Sequence, residues 1–437
     1  MPIKVAKFGG SSLADAAQFK KVEAIIKADS DRKYIVPSAP GKRFSDDEKI
    51  TDMLYACYDG VAAGGEFDAA FAPIRARFDG IIDELGLSLS LDGEYAEIKA
   101  KFAVRAGRDY AASRGEYLNS IILAELIGYP FVDAAEVVFF REDGSFDNKR
   151  SYKAVGDRLL SMETAVVPGF YGSMPDGSIK TFSRGGSDVS GSVVSRGVMA
   201  DIYENWTDVS GFLVADPRII NNPAVIENIT FRELRELSYM GATVLHADAV
   251  FPVRSAGIPI NIKNTNSPSD PGTMIVPACD DGATGTITGI AGKKGFSIIT
   301  IEKDMMNSEI GFARRALSVL EKNGLPFEHL PSGIDTMGIV VASSALNGNR
   351  EQIIADISET VNPDHIGVVD GLALVAVVGR GMVNSKGIAA RVMGAIASAD
   401  INIRMLDQGS SELNIIVGVD DADFEKAVGA IYSGFFA

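Results

Sequence analysis

The sequence predicts an α/β chain: a layered α/β/α domain over roughly the first 280 residues, then two smaller βαββαβ units. Three observations carry that prediction. A strand runs through a glycine turn into a helix at the very start (IKVAKFGGSS). Strand-like apolar runs then recur between helical segments. Finally, the pattern changes after the loop at 264–273 and passes twice through the same order of elements.

Residues 3–8 read as a strand, with Ile3 and Val5 alternating with Lys4. Gly9, Gly10, Ser11 and Ser12 form the turn, and Phe19, Val22 and Ile26 keep helical spacing beyond it. Ser12 with Asp15 three residues on matches an N-cap pattern. Further strand-like runs lie at 33–38, 131–140, 164–170, 201–206 and 258–263. The Asn-, Ser- and Pro-rich stretch from Asn264 to Thr273 reads as a loop leaving this domain.

Beyond it the first pass is strand 296–303, helix 308–322, strands 327–331 and 337–343, helix 349–358 and strand 365–369. The second is strand 371–379, helix 387–398, strands 401–407 and 412–419, and helix 422–432. One strand is missing from the second pass, and the extra run at 285–291 is the candidate to fill it, since an unpaired sheet edge and an orphan strand are both costly. The expected domains are therefore 1–278, an inserted 295–365, and 285–294 joined with 366–437.

The chain has 437 residues, a net charge of −16, 46% hydrophobic and 23% charged residues, which is ordinary for a globular protein and excludes a disordered or fibrous one. The acidic balance argues against nucleic acid or an anionic membrane as partner. Cys57 and Cys279 form no CxxC pair or disulfide framework, and His246, His329 and His365 are too scattered for a zinc triad. The N-terminus lacks a signal-peptide apolar core, and no run reaches the ~18 apolar residues of a membrane span, so a cytoplasmic enzyme is expected. An acidic chain that handles small anions must do so with a few converging cations and backbone amides.

Neither GxxxxGK[ST] nor GxGxxG opening a helix occurs. Lys7-Phe8-Gly9-Gly10-Ser11-Ser12 instead places a lysine at a strand end beside glycines whose amides can approach a phosphate, although a tight turn needs the same residues. Ser183-Arg184-Gly185-Gly186-Ser187-Asp188 opens a second glycine-rich helix start, with a guanidinium suited to a carboxylate and an Asp188 that also suits a helix cap. Two such starts in one domain would let two anions face each other. Thr207-Asp208-Val209-Ser210-Gly211 and Ala215-Asp216-Pro217-Arg218 follow a strand's carboxyl end, where α/β proteins bind ligands. Glu116 is read at a helix start, where it also complements the helix dipole; His246 is read as structural.

Taken in order, KFGGSS at 7–12, VPSAPGK at 36–42, RGEYLNS at 114–120, SRGGSD at 183–188, TDVSG with ADPR at 207–218, VLH at 244–246 and NTNSPSDPGT at 264–273 resemble the aspartokinases of the amino-acid kinase superfamily. The two βαββαβ passes resemble that family's ferredoxin-like ACT regulatory domains. The likeness spans the whole chain and leaves no room after the second ACT copy for a fused dehydrogenase, so a monofunctional form is expected. It implies transfer of the γ-phosphoryl of ATP, with Mg²⁺, to the side-chain carboxylate of L-aspartate. That step opens lysine, threonine, methionine and diaminopimelate biosynthesis.

By position in the matching motifs, the resemblance gives Lys7 and Asp188 catalytic roles, Lys7 neutralising the phosphoryl group and Asp188 holding the network around it. It gives Ser38, Thr51, Glu116, Arg184 and Ser187 to aspartate, with Arg184 on the α-carboxylate and Glu116 on the ammonium. Lys7, Gly9, Gly10, Ser11, Thr207, Asp208 and Arg218 fall to the nucleotide, and no metal ligand is expected from the protein. Ser11 stands for a frequent Thr, Ser183 for Gly, Val189 for Tyr, Leu213 for an aromatic residue and Thr243 for Lys. The ACT pair implies feedback by an end-product amino acid, with lysine the expected effector. Its site would be the turn of Met306, Asn307, Ser308 and Glu309 opposed by Glu328, Asp335 and Thr336, in a homodimer or dimer of dimers associated through the ACT domains. Two other readings remain: a kinase for another acceptor such as glutamate, and an amino-acid sensor with an inactive kinase domain.

Overall fold

The computed structural model describes residues 2–436 except Arg184, Thr243, Val244, His246, 280–286, Asn347 and Asn384. The readings placed on Arg184, Thr243, His246 and the first part of 285–291 lie outside the described residues. The chain divides into two compact units. One holds 1–212, 225–234 and 243–279, and the other 213–224, 235–242 and 280–437.

The first unit is built on a seven-stranded sheet. Its strands are β1 (Lys4–Phe8), β2 (Arg32–Pro37), β3 (Ala165–Val166), β6 (Ile202–Thr207), β7 (Asn228–Thr230), β8 (Ile260–Asn264) and β9 (Thr273–Val276), while β4 (Tyr171–Ser173) and β5 (Ile179–Thr181) form a separate hairpin. The order is β3-β2-β1-β6-β8-β9-β7, and β2, β1, β6 and β8 run parallel. Valine, isoleucine and aromatic residues fill these strands because a parallel sheet covered on both faces has no wet side. Phe8, Leu13, Phe19, Ile26, Ile35, Phe78, Leu118, Ile122 and Trp206 join one buried core.

Two local readings are corrected. Residues 131–140 are not a continuous strand: Ala134–Val137 is a helical turn, capped by the Asp133 side chain accepting from the Ala135 amide. Ser12 does not cap the first helix. It lies in the Gly10–Leu13 3-10 turn with its hydroxyl 2.7 Å from that of Thr265, and Asp15 caps Ala16–Lys27 by accepting from the Gln18 amide.

The second unit has a five-stranded antiparallel sheet of β10 (Gly289–Glu302), β11 (Thr336–Ala342), β12 (His365–Val378), β13 (Met405–Asp407) and β14 (Asn414–Asp420), ordered β11-β10-β12-β14-β13. Both long strands serve two passes. Phe296–Glu302 pairs with β11 and with the start of β12, whereas Gly289–Lys293 pairs with Leu374–Val378. The stretch 327–331, read as a strand, is reduced to isolated bridges at His329 and Ser332. Each pass has its own core, around Ile299, Phe312, Leu320 and Ile339 in one and Val375, Val392, Ile415 and Ile431 in the other. The 213–224 and 235–242 segments group with this unit, although the sequence reading placed all of 1–278 in one domain. Val214 accepts from the Ile290 amide, and Asn414 donates to Glu236 at 2.6 Å.

Candidate active site

Parallel pairing brings three strand ends to one edge. Lys7 is in register with Val36 of β2 and Asn205 of β6, so the turns leaving β1, β2 and β6 open side by side. The Lys7 side chain is buried, and its Nζ lies 2.6 Å from Asp188 Oδ1. Asp188 stands in the first turn of the helix Gly186–Gly197, whose N-cap is Gly185 in the left-handed region. Asn205 Nδ2 donates to the same Asp188 oxygen at 2.9 Å, and Lys7 Nζ donates to Asn205 Oδ1 at 3.5 Å. A buried ammonium is tolerable only with such partners.

The glycine turn is seated by backbone contacts. Gly9 donates to the Trp206 carbonyl at 2.9 Å, and Gly41 donates to the Gly10 carbonyl at 2.8 Å. A Cβ on Gly41 would stand 2.6 Å from the Gly10 carbonyl carbon, and one on Gly10 would stand 2.9 Å from the Ala39 oxygen. Glycine at both positions is thus a packing requirement, because two backbones touch there. Ser38 is fixed at both ends of its residue, donating its amide to Phe8 and accepting from Asn119 Nδ2 at 2.7 Å.

Glu116 lies in the middle of the helix Arg108–Ile127, not at a helix start. It is 5% exposed, its Oε1 is 3.5 Å from the Ser187 hydroxyl, and its Oε2 has no hydrogen-bond partner. Burial pushes its carboxyl up to about 7, against the opposing pull of backbone amides, Ser187 and Lys7. One turn further, Asn119 Oδ1 is also buried without a partner. Residues i and i+3 share a helix face, so the two orphan acceptors lie together. Ser187 reaches this side because Gly169 has no side chain; a Cβ there would meet Ser187 Oγ at 2.9 Å.

The remaining predicted residues divide. Ser11 is half-buried in the glycine turn, and Thr51 occupies the first turn of Ile50–Ala62. Thr207 ends β6, and its hydroxyl donates to Asp208 at 3.1 Å. Arg218 belongs to the second unit, where Asp216 holds its guanidinium at 2.6 Å. Met306, Asn307 and Ser308 form a single 3-10 turn after β10. Asp335 accepts from the Met305 amide at 2.9 Å, Glu309 pairs with Lys303 at 2.8 Å and with Arg315, and Glu328 accepts from the Tyr239 hydroxyl. Thr336 opens β11. Asn205 and Gly169 escaped the sequence reading, and Asn119 and Gly41 lie inside the motifs at 114–120 and 36–42 without having been given a role there. Among the described residues no three His, Cys, Asp or Glu side chains form a metal cage.

Residues 2–264 match the model of the amino acid kinase family, and 375–435 match an ACT domain. The chain is 40% identical to Aspartokinase 3 of Bacillus subtilis, covering 100% of this chain and 99% of that protein. It superposes on a crystal structure of Clostridium acetobutylicum aspartate kinase with a TM-score of 0.94 at 55% identity, covering 99% and 100% of the two chains. E. coli aspartokinase III, solved with aspartate and ADP, shares the fold at 24% identity and a TM-score of 0.77 over the full length of both chains. The chain belongs to the amino acid kinase family, in its aspartokinase branch, and carries a C-terminal ACT domain.

Proposed function

We propose that the cleft at the ends of β1, β2 and β6 moves the γ-phosphoryl of ATP onto the side-chain carboxylate of L-aspartate. One carboxylate oxygen bonds to the γ-phosphorus, the bond to the β,γ-bridging oxygen breaks, and ADP leaves with 4-phospho-L-aspartate. The acceptor is already ionised, so no general base is required and the work is alignment and charge neutralisation. Lys7 takes the developing phosphoryl charge, with Asp188 and Asn205 fixing its Nζ. Gly9, Gly10 and Ser11 line the phosphates, and Thr207 and Asp208 the nucleotide. Arg218 is retained for the nucleotide from its motif alone. Mg²⁺ would arrive on the phosphates of ATP, which suits a chain whose described residues form no cage of their own.

The observation that carries the amino-acid part of this reading is the pair of buried orphan acceptors, Glu116 Oε2 and Asn119 Oδ1. An ammonium has three donors and no acceptor, and would satisfy both. Ser38, Thr51 and Ser187 complete that pocket, and Arg184 would take the α-carboxylate. The test is to supply Mg-ATP and hydroxylamine with aspartate or glutamate and follow the acyl hydroxamate. Product with glutamate alone would replace the acceptor, and no product with either would favour a sensor.

We read 295–365, and 285–294 with 366–437, as two ACT domains and 1–278 as the catalytic domain, apart from its 213–224 and 235–242 segments, which group with the second unit. Lysine is the proposed effector, at Met306–Glu309, Glu328, Asp335 and Thr336; an E. coli relative has been solved with lysine and aspartate. Met305, Ile310 and Ile334, 70%, 96% and 68% exposed, give this face an apolar surface suited to a second copy, in a homodimer or dimer of dimers. Among the described residues no helix is long and apolar enough to cross a membrane, and the cytoplasm is the proposed location.

A further inference from the structure

Arg77 has no part in the motifs described above, yet its guanidinium sits where two of them meet. It lies on the helix Phe67–Leu85 and is 8% exposed. Nη2 donates to the Ala14 carbonyl at 2.9 Å and to the Gly41 carbonyl at 2.8 Å, and Nε donates to Ala14 at 3.3 Å. Nη1 donates to Asp47 Oδ2 at 2.9 Å. Asp47 also takes Arg43 through its amide at 3.0 Å and its guanidinium at 2.8 Å. Those charge-assisted bonds hold the Asp47 carboxyl well below the usual carboxylate range.

One buried fork thus joins three points: Ala14, which follows the Gly10–Leu13 turn; Gly41, which follows Ser38-Ala39-Pro40; and Asp47 in the 42–49 loop. The Gly41 peptide is gripped on both sides, its amide by Gly10 and its carbonyl by Arg77. A planar guanidinium presents its donors in a fixed fork that meets all three acceptors at once, whereas a lysine ammonium is a compact point charge on a flexible stem.

We propose that Arg77 is a positioning residue for phosphoryl transfer: it fixes the phosphate-side turn against the aspartate-side loop. This inference rests on the reading of the two loops given above. Each loop holds its own ligand, so the ligands stay bound when the fork is lost. What changes is the distance and angle between the attacking carboxylate and the phosphorus, on which in-line transfer depends.

Arg77→Lys tests it in the full-length protein, with kcat and both KM values from the hydroxamate assay and Tm measured in parallel. The expected result is a fall in kcat of ~10- to 100-fold with KM for ATP and for aspartate within about threefold of wild type. Asp47→Asn, which keeps the shape and removes the charge, should lower kcat in the same sense but less, and it covers the case in which Arg77→Lys does not fold. A lower Tm with unchanged kcat in the folded enzyme would make Arg77 a purely structural tie and overturn the proposal. So would a rise in either KM at unchanged kcat. Wild-type enzyme that formed no aspartyl hydroxamate would remove the aspartate reading itself, whereas an active wild type with an equally active Arg77→Lys removes only the role given to Arg77.

Discussion

At the scale of single residues, Glu116 shows how far a motif carries and where packing takes over. RGEYLNS marks the position, but no spacing rule says that Oε2 will be left without a partner in the middle of a helix. Because burial raises its carboxyl to about 7, the folded chain holds that proton more tightly than the unfolded chain does. The stability linked to it is present below the ordinary carboxylate range and is lost as pH rises to about 7. The proposed aspartate recognition runs the other way, since an ammonium held by Glu116 would need the ionised form. kcat/KM for aspartate should therefore rise with pH and level off above about 7, and Glu116→Gln should hold it near the low-pH level and abolish that rise. A wild-type profile flat from pH 6 to 8 would contradict the assignment. Lys7 and Asp188 were legible from their glycine-rich surroundings. Asn205 and Arg77 were not, because their importance arises from strand register and from a helix remote in sequence.

At the scale of elements, the strand–turn–helix at the N-terminus was readable since its signals are local. The contact between the Gly10 and Gly41 backbones was not, because it joins two separate turns. Gly41→Ala tests that contact. Its methyl would enter the Gly10 peptide, and overpacking of this kind costs about 1–3 kcal/mol. Denaturant unfolding should show that loss together with a fall in kcat, and an unaltered midpoint would mean the loops separate freely. In the second unit the sequence reading broke the long strands near Gly295 and Gly371, both of positive φ. Both strands instead run on through these glycines, and the pairing skips them, with register shifts between Lys293 and Phe296 and between Phe296 and Ile298. The helical turn at Ala134–Val137 was missed for a simpler reason: Asp133 is a recognisable cap inside an otherwise strand-like apolar run.

At the scale of the whole molecule, a net charge of −16 excluded polyanionic partners but left small anions open, and Lys7 with the two glycine-rich turns is where an acidic chain could gather them. Trp206 is the one tryptophan, fully buried and stacked on Phe8 in the first unit. Its fluorescence therefore reports that unit alone, while far-UV circular dichroism reports both. Mg-ATP should raise the fluorescence-detected midpoint, as any ligand of the native state does, and an unchanged midpoint at saturating Mg-ATP would argue against nucleotide binding there. The most direct test of the central claim is turnover by Lys7→Ala, read as aspartyl hydroxamate from Mg-ATP and L-aspartate. Loss of the group that neutralises the transferring phosphoryl should lower kcat on the order of 10²- to 10³-fold. A variant that turns over within about threefold of wild type would show that the phosphoryl charge is met elsewhere, and would contradict the account.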